Sequence, residues 1–263
     1  MASTIIPNTQ ILTDYELVGG DSLVLFVHGY KGFKDWGCWN LMKAYFVNKG
    51  FSFAKFNLSG NGTTPASPED FVDLEAFGHN NYSKEISDLH TVINYFEGQG
   101  IKNIHLIGHS RGGGVVTYYA PTDTRVKSVI TLASIDTFNR GFTDIEEWKK
   151  KGVKYIVNGR TNQLMPHYYQ FFEDFVDNFK DCDVLDQAKR IDVPHYIVHA
   201  KDDRAVDISS AINLAKANPQ AQSLILESGG HTFNCKHPWE SHQLPPVFET
   251  VLNEIITFYK ENS

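Results

Sequence analysis

The chain has 263 residues, 41% hydrophobic and 21% charged, which excludes a disordered or low-complexity protein and is long enough to bury a sizeable core. Its formal charge of −7 would repel a phosphate backbone, and the short run Lys149-Lys150-Lys151 does little against it, so nucleic acid is not an expected partner. Cys38, Cys182 and Cys235 are odd in number, far apart and without CxxC spacing, which fits a reducing compartment better than a secreted disulfide framework. The first ten residues lack the basic start and apolar centre of a leader, and no apolar run approaches the roughly 18 residues of a membrane span. The expectation is a cytoplasmic protein that does not engage a membrane.

Leu23 to His28 is a short, continuous apolar run ending at a glycine, the pattern of a strand buried on both faces of a parallel sheet. Phe51 to Leu58, Ile104 to Ile107, Val126 to Ala133, His195 to Ala200 and Ser223 to Leu226 repeat it. Between them, Tyr82, Ile86, Leu89, Ile93 and Phe96 fall at spacings of three and four, predicting a helix that Gly98 and Gly100 stop. Strands alternating with helices predict one α/β domain over residues 1–263, a doubly wound, mostly parallel sheet covered on both faces. The interval from about Ser134 to Asp192 is too long for one crossover and is crowded with aromatic residues. It predicts a helical, lid-like insertion, against the plainer reading that its rings form the core of ordinary helices.

Gly108-His109-Ser110-Arg111-Gly112 is a G-x-S-x-G element placed between an apolar strand and the helix-like stretch Gly113 to Tyr119, the context of a nucleophile elbow. A serine needs a base to take its proton and an acid to orient that base. His231, in Gly229-Gly230-His231 after the run Ser223 to Leu226, supplies the base. Asp203, after His195 to Ala200, supplies the acid, with Asp202 and Asp207 as competitors. All three fall at carboxyl ends of predicted strands, where ligands bind in open parallel sheets. An oxyanion hole needs two backbone N–H groups, and those of Tyr30, in His28-Gly29-Tyr30, and Arg111, next to the serine at a helix start, are placed for it. His28 and His109 read as hydrogen-bonded structural residues. His231, Cys235, His237 and His242 are close in sequence, but their spacing fits no zinc finger and His231 is already needed beside the serine. Gly112-Gly113-Gly114 lacks the lysine of a phosphate loop. Neither a metal nor a cofactor is expected.

Through His28-Gly29-Tyr30, Gly108 to Gly112, Asp203 to Val206 and Gly229-Gly230-His231, the chain resembles the α/β-hydrolase superfamily, and the order Ser, Asp, His matches it. Within that superfamily, Gly29 to Gly37 is similar to bacterial serine esterases of the feruloyl-esterase and dipeptidyl-peptidase-like group. The resemblance implies an α/β-hydrolase fold and hydrolysis of small-molecule carboxylic esters, and it favours Asp203 over Asp202. The chain departs from many relatives at Asn57 to Gly62, where an Asp-x-Arg-Gly motif is common, which bears on loop structure more than on chemistry. Trp148 and Met165, in the aromatic insertion, are the expected substrate-pocket residues. The same triad also serves thioesters, amides and carbon–carbon bonds, and the fold also serves as a non-enzymatic receptor.

Overall fold

In the computed structural model, which describes residues 3–262, the apolar runs become strands. In chain order these are β1 (Thr4–Ile5), β2 (Leu12–Glu16), β3 (Ser22–Val27), β4 (Phe53–Phe56), β5 (Asn103–His109), β6 (Val126–Leu132), β7 (Val153–Val157), β8 (Leu164–Tyr168), β9 (His195–Ala200) and β10 (Gln222–Leu226). The helices are α1 (Trp39–Asn48), α2 (Leu74–Gly78), α3 (Tyr82–Glu97), α4 (Arg111–Tyr119), α5 (Ile145–Lys151), α6 (Gln170–Asn178), α7 (Val184–Ala188), α8 (Ser209–Ala217) and α9 (Pro246–Glu261). Eight strands form one sheet in the order β1-β2-β4-β3-β5-β6-β9-β10. Every pair from β4 to β10 is parallel, and β1 and β2 add an antiparallel edge.

Alternation along the central strands explains why both faces are covered. On β3, Leu23, Leu25 and Val27 join one core with Leu89, Val92 and Phe96 of α3 and Val115 and Val116 of α4. Their neighbours Val24 and Phe26 point the other way, into a core with Met42 and Phe46 of α1 and Val251, Leu252 and Ile255 of α9. Among the described residues, no helix is long and apolar enough to cross a membrane.

The strand β2 escapes an apolar-run reading because two of its three buried side chains, Thr13 and Asp14, are polar. Asp14 pairs in register with Lys55 of β4, and its carboxylate accepts from Lys43 at 2.7 Å and from Lys55 at 3.1 Å. Lys55 is fully buried and also meets Asp35, so the charges there are neutralised in a group.

The segment between β6 and β9 corrects the expectation of a helical insertion. It carries α5, α6 and α7, but at its centre β7 and β8 form a separate antiparallel hairpin, from Val153↔Tyr168 to Val157↔Leu164. Val153, Tyr155, Ile156 and Val157 are β-branched or aromatic and favour a pleated strand, and the backbone bond Asn158 N–H to Gln163 O closes the turn at 2.8 Å. The aromatic residues surrounding the hairpin concealed this change of period.

Candidate active site

Ser110 lies between β5 and α4 with φ +55° and ψ −118°, a conformation uncommon for any residue with a Cβ. Its backbone N–H donates to Leu132 O of β6 at 2.9 Å, which anchors the turn to the sheet. The turn is too tight for side chains on either side. A Cβ on Gly108 would stand 2.3 Å from the Gly112 carbonyl oxygen, and one on Gly112 would stand 2.3 Å from that of Val27. Because both obstructions are backbone, Gly112→Ala should destabilise the fold by about 2–3 kcal/mol and displace Ser110. A thermal midpoint equal to that of the parent protein would contradict that packing.

His231 follows β10 after Gly229 and Gly230, both at positive φ, and Asp203 follows β9. Their side chains meet: His231 Nδ1 lies 2.8 Å from Asp203 Oδ2. The other carboxylate oxygen, Oδ1, accepts from the backbone N–H groups of Ala205 at 2.8 Å and Val206 at 3.0 Å. His199, on β9, approaches Oδ2 at 3.4 Å while its Nε2 lies 2.9 Å from the Val206 carbonyl. Burial opposes the Asp203 charge, but the bonds from His199, His231 and Val206 outweigh it and hold this carboxyl well below the usual carboxylate range. Asp202 faces elsewhere: its Oδ1 accepts the N–H of Gly230 at 2.8 Å and so steadies the loop of His231. Asp207 caps Ser209 N–H at 2.9 Å.

The two histidines read from sequence as structural have that role here. His28 stands near Gly29 O at 2.9 Å through Nδ1 and accepts the Leu58 N–H at 3.2 Å through Nε2, tying the turn after β3 to the end of β4. Burial lowers its pKa to about 4. His109 Nε2 lies 2.9 Å from the His231 carbonyl oxygen, joining the loop of the imidazole to the elbow itself. Burial, followed by the charge of a protonated His231, lowers its pKa to about 3. Sequence reading placed His109 beside the serine without this bond, since its partner is 122 residues away.

The turn that replaces Asp-x-Arg-Gly has its own fastening. Asn57 accepts the Lys34 N–H at 2.6 Å and donates to Thr63 Oγ1 and Pro68 O, each at 2.9 Å. Ser59 donates to Asp88 from both its backbone and its hydroxyl, at 2.7 and 3.0 Å, and burial pushes the Asp88 carboxyl up to about 6. The loop carrying Tyr30 is thus held to the loop after β4 by an amide rather than by a charged side chain.

Ser110 and His231 open on two cavities. The larger, about 460 Å³, lies under the segment between β6 and β9 and is walled by Tyr30, Phe142, Trp148, Ile156, His167 and Phe171 among others. The smaller, about 140 Å³, lies against Trp36, Trp39, His109 and Thr232. Tyr30 touches both. Arg111 is the first residue of α4, so its backbone N–H is among those a helix leaves without an intrahelical acceptor. Its side chain turns into the larger cavity, with the guanidinium 4.2 Å from the centre of the Tyr30 ring and 3.2 Å from Glu85 of α3. Burial opposes this charge, and Glu85 outweighs the burial.

Trp148 stands where a pocket residue was expected, in the wall of the larger cavity, and its indole N–H donates to His167 O at 2.8 Å. Met165 does not. It is fully buried in a separate cluster with Phe33, Phe71 and Phe77. It shares a face of β8 with His167 and lies one pleat repeat further from the cavity, so both rest against Phe77 but only His167 reaches the cavity wall. His167 was missed by sequence reading. It reaches the cavity wall and meets Tyr30 Oη at 2.6 Å through Nε2, 137 residues away along the chain. The sequence cluster around Cys235 also disperses: His237 Nδ1 accepts the Gly37 N–H at 3.0 Å and its ring stacks on Trp36.

Comparison with known proteins gives this arrangement a family. Residues 22–168 match the family described as the alpha/beta hydrolase fold. Monoacylglycerol lipase ABHD6 of Rattus norvegicus is 25% identical, over 84% of this chain and 73% of its own length. Among solved structures, Est1E from Butyrivibrio proteoclasticus, determined with ferulic acid bound, aligns with a TM-score of 0.73 at 14% identity, covering 100% of this chain and 99% of its own. A lipase-esterase related protein from Clostridium acetobutylicum aligns with a TM-score of 0.63 at 20% identity, covering 95% of this chain and 100% of its own. The mostly parallel eight-stranded sheet and the matched segment, which spans β3, the elbow and β8, agree: the chain belongs to the α/β-hydrolase fold family and is related to its esterases and lipases.

Proposed function

We propose that this protein is a serine esterase that hydrolyses small-molecule carboxylic esters through an acyl-enzyme, with Ser110, His231 and Asp203 as its triad. The observation that carries the reading is the 2.8 Å contact of His231 Nδ1 with a buried carboxylate, on a ring that shares its cavities with the strained Ser110. With Nδ1 directed at Asp203, the proton of neutral imidazole stays on that nitrogen and Nε2 is free to act as a base. Nε2 takes the Ser110 hydroxyl proton as Oγ attacks the ester carbonyl. The carbonyl oxygen becomes an oxyanion, held by the N–H groups of Tyr30 and Arg111. Collapse breaks the bond from carbon to the leaving oxygen, and the imidazolium returns its proton to the departing alcohol. Water then enters, gives a proton to Nε2, attacks the acyl carbon and releases the acid with Ser110 restored. One ester and one water yield one acid and one alcohol, and no cofactor takes part.

A panel of chromogenic esters of graded acyl length, run beside feruloyl and thioester substrates, tests the reading. Ester turnover that disappears on treatment with a fluorophosphonate is expected. Turnover of thioesters alone, or of nothing in the panel, would overturn it. Pocket and packing roles separate in the same assay. Trp148→Phe keeps a ring but loses the bond to His167 O, and should change KM and acyl preference more than kcat. Met165→Ala should cost about 2–5 kcal/mol of stability while leaving acyl preference as it was. A change of preference in Met165→Ala with no loss of stability would return that residue to the pocket.

A further inference from the structure

We infer that the larger cavity selects esters bearing a carboxylate, and that Lys31, Arg140 and Lys154 hold that second charge. This rests on the esterase reading above and names its substrate class. The protein as a whole is acidic, with 31 Asp and Glu against 24 Lys and Arg, yet among the described residues the larger of the two cavities at Ser110 is lined by four cations and no carboxylate. Arg111 is the fourth, and Glu85 already answers it. The other three make no ion pair among the described residues. Lys31 Nζ sits 5.0 Å from the centre of the Tyr30 ring, Arg140 donates to Ala205 O at 3.2 Å, and Lys154 donates to Gly141 O at 2.6 Å. Asp144 attracts Lys154 from outside this cavity.

These three cations come from the turn after β3, the start of the β6–β9 segment and β7, so no local run of basic sequence brings them together. Walls of buried aromatic side chains, from which water is excluded, have a low dielectric and concentrate their field. His167, in the same wall, registers it: burial, and then Arg111, Lys154 and Lys31, lower its pKa to about 3. A carboxylate entering the cavity would accept charge-assisted hydrogen bonds with little competition from water. The smaller cavity, at about 140 Å³, limits the other half of the ester to a small group. Half-esters of a dicarboxylic acid with a short alcohol satisfy both.

Two measurements on the full chain decide the matter. The first compares kcat/KM for methyl hydrogen glutarate and methyl pentanoate, similar in length and different in charge. The anionic ester should be preferred about tenfold or more. That ratio should collapse in Lys154→Met and Arg140→Gln, and should persist in Lys150→Met, which removes the same charge from an exposed position outside the cavity. The second titrates the two esters calorimetrically into Ser110→Ala, which reads the subsite without turnover. Tighter binding of the anionic ester, lost in Lys154→Met, supports the subsite even if neither ester is hydrolysed, in which case only the esterase reading falls. Hydrolysis of the neutral ester at an equal or higher rate, with equal binding of both, overturns the subsite and leaves the esterase intact. A preference unchanged in both cavity variants, or lowered equally by Lys150→Met, would trace it to the protein's general field and overturn the assignment.

Discussion

Ser110→Ala should abolish acyl-enzyme formation and lower turnover about 10⁶-fold, the scale on which loss of a triad nucleophile acts. The fold should remain, since alanine carries the same Cβ into the strained turn and the anchoring N–H to Leu132 O is a backbone bond. The residual rate would come from the oxyanion donors and substrate binding, which need no nucleophile. A fluorophosphonate probe followed by peptide mapping gives a second readout. In the parent protein the label should lie on Ser110, and in Ser110→Ala it should be absent. Labelling of another serine, or a variant that keeps more than about one hundredth of the parent activity, would remove Ser110 from the mechanism.

Asp203→Asn should lower turnover about 10⁴-fold with little change in KM, because it sets the imidazole in the wrong tautomer. The amide oxygen can still accept from Ala205 and Val206, which leaves its NH2 group facing His231 Nδ1. Two donors cannot share that contact, so the imidazole proton moves to Nε2 and the base is lost. Asp202→Asn retains an acceptor for Gly230 N–H and should stay within a few-fold of the parent. Activity of Asp203→Asn within tenfold of the parent would pass the acid role to another carboxylate. A stability measurement adds an independent check. Because folding lowers the Asp203 pKa from its ordinary 3.8, the ionised carboxylate contributes stability that is complete above about that pH and is lost as the pH falls further. The difference in thermal midpoint between parent and Asp203→Asn should therefore narrow in acid below about pH 3.8. A difference that stayed constant from neutral pH down to pH 3 would contradict the depressed value.

The proposed triad was legible because each member sits beside a signal that depends only on local sequence. Ser110 lies between two glycines at the end of an apolar strand, Asp203 lies in the turn after the next-but-one sheet strand, and His231 follows a glycine pair. The central strands were legible for the same reason. Burial on both faces demands mostly apolar strands: β3 is unbroken from Leu23 to Val27, and β5, β6 and β9 each carry an apolar stretch at their centre. The hairpin β7–β8 was not, since half its residues face a cavity or solvent and its rings read equally well as helix core. Met165 and His167 show the limit more sharply. They are two residues apart on the same face of β8, and only their position along the strand relative to the packed loops decides that one enters a sealed cluster while the other reaches the cavity wall.

By itself, then, the sequence determined the class of fold, and it put the proposed nucleophile and its proposed base beside local turn signals, because backbone geometry and hydrophobic burial act over a few residues. Only the tertiary structure decided what distant residues do to one another. It aimed the Asp203 carboxylate at His231 and that of Asp202 at Gly230 N–H, the contacts on which the proposed acid role of Asp203 rests. It joined His109 to the His231 carbonyl and His167 to Tyr30 across more than 120 residues each. It also gathered Lys31, Arg140 and Lys154 around one cavity in an acidic protein. Hydrogen bonds and electrostatic fields depend on distances in space, and those exist only once the sheet has brought the ends of its strands together.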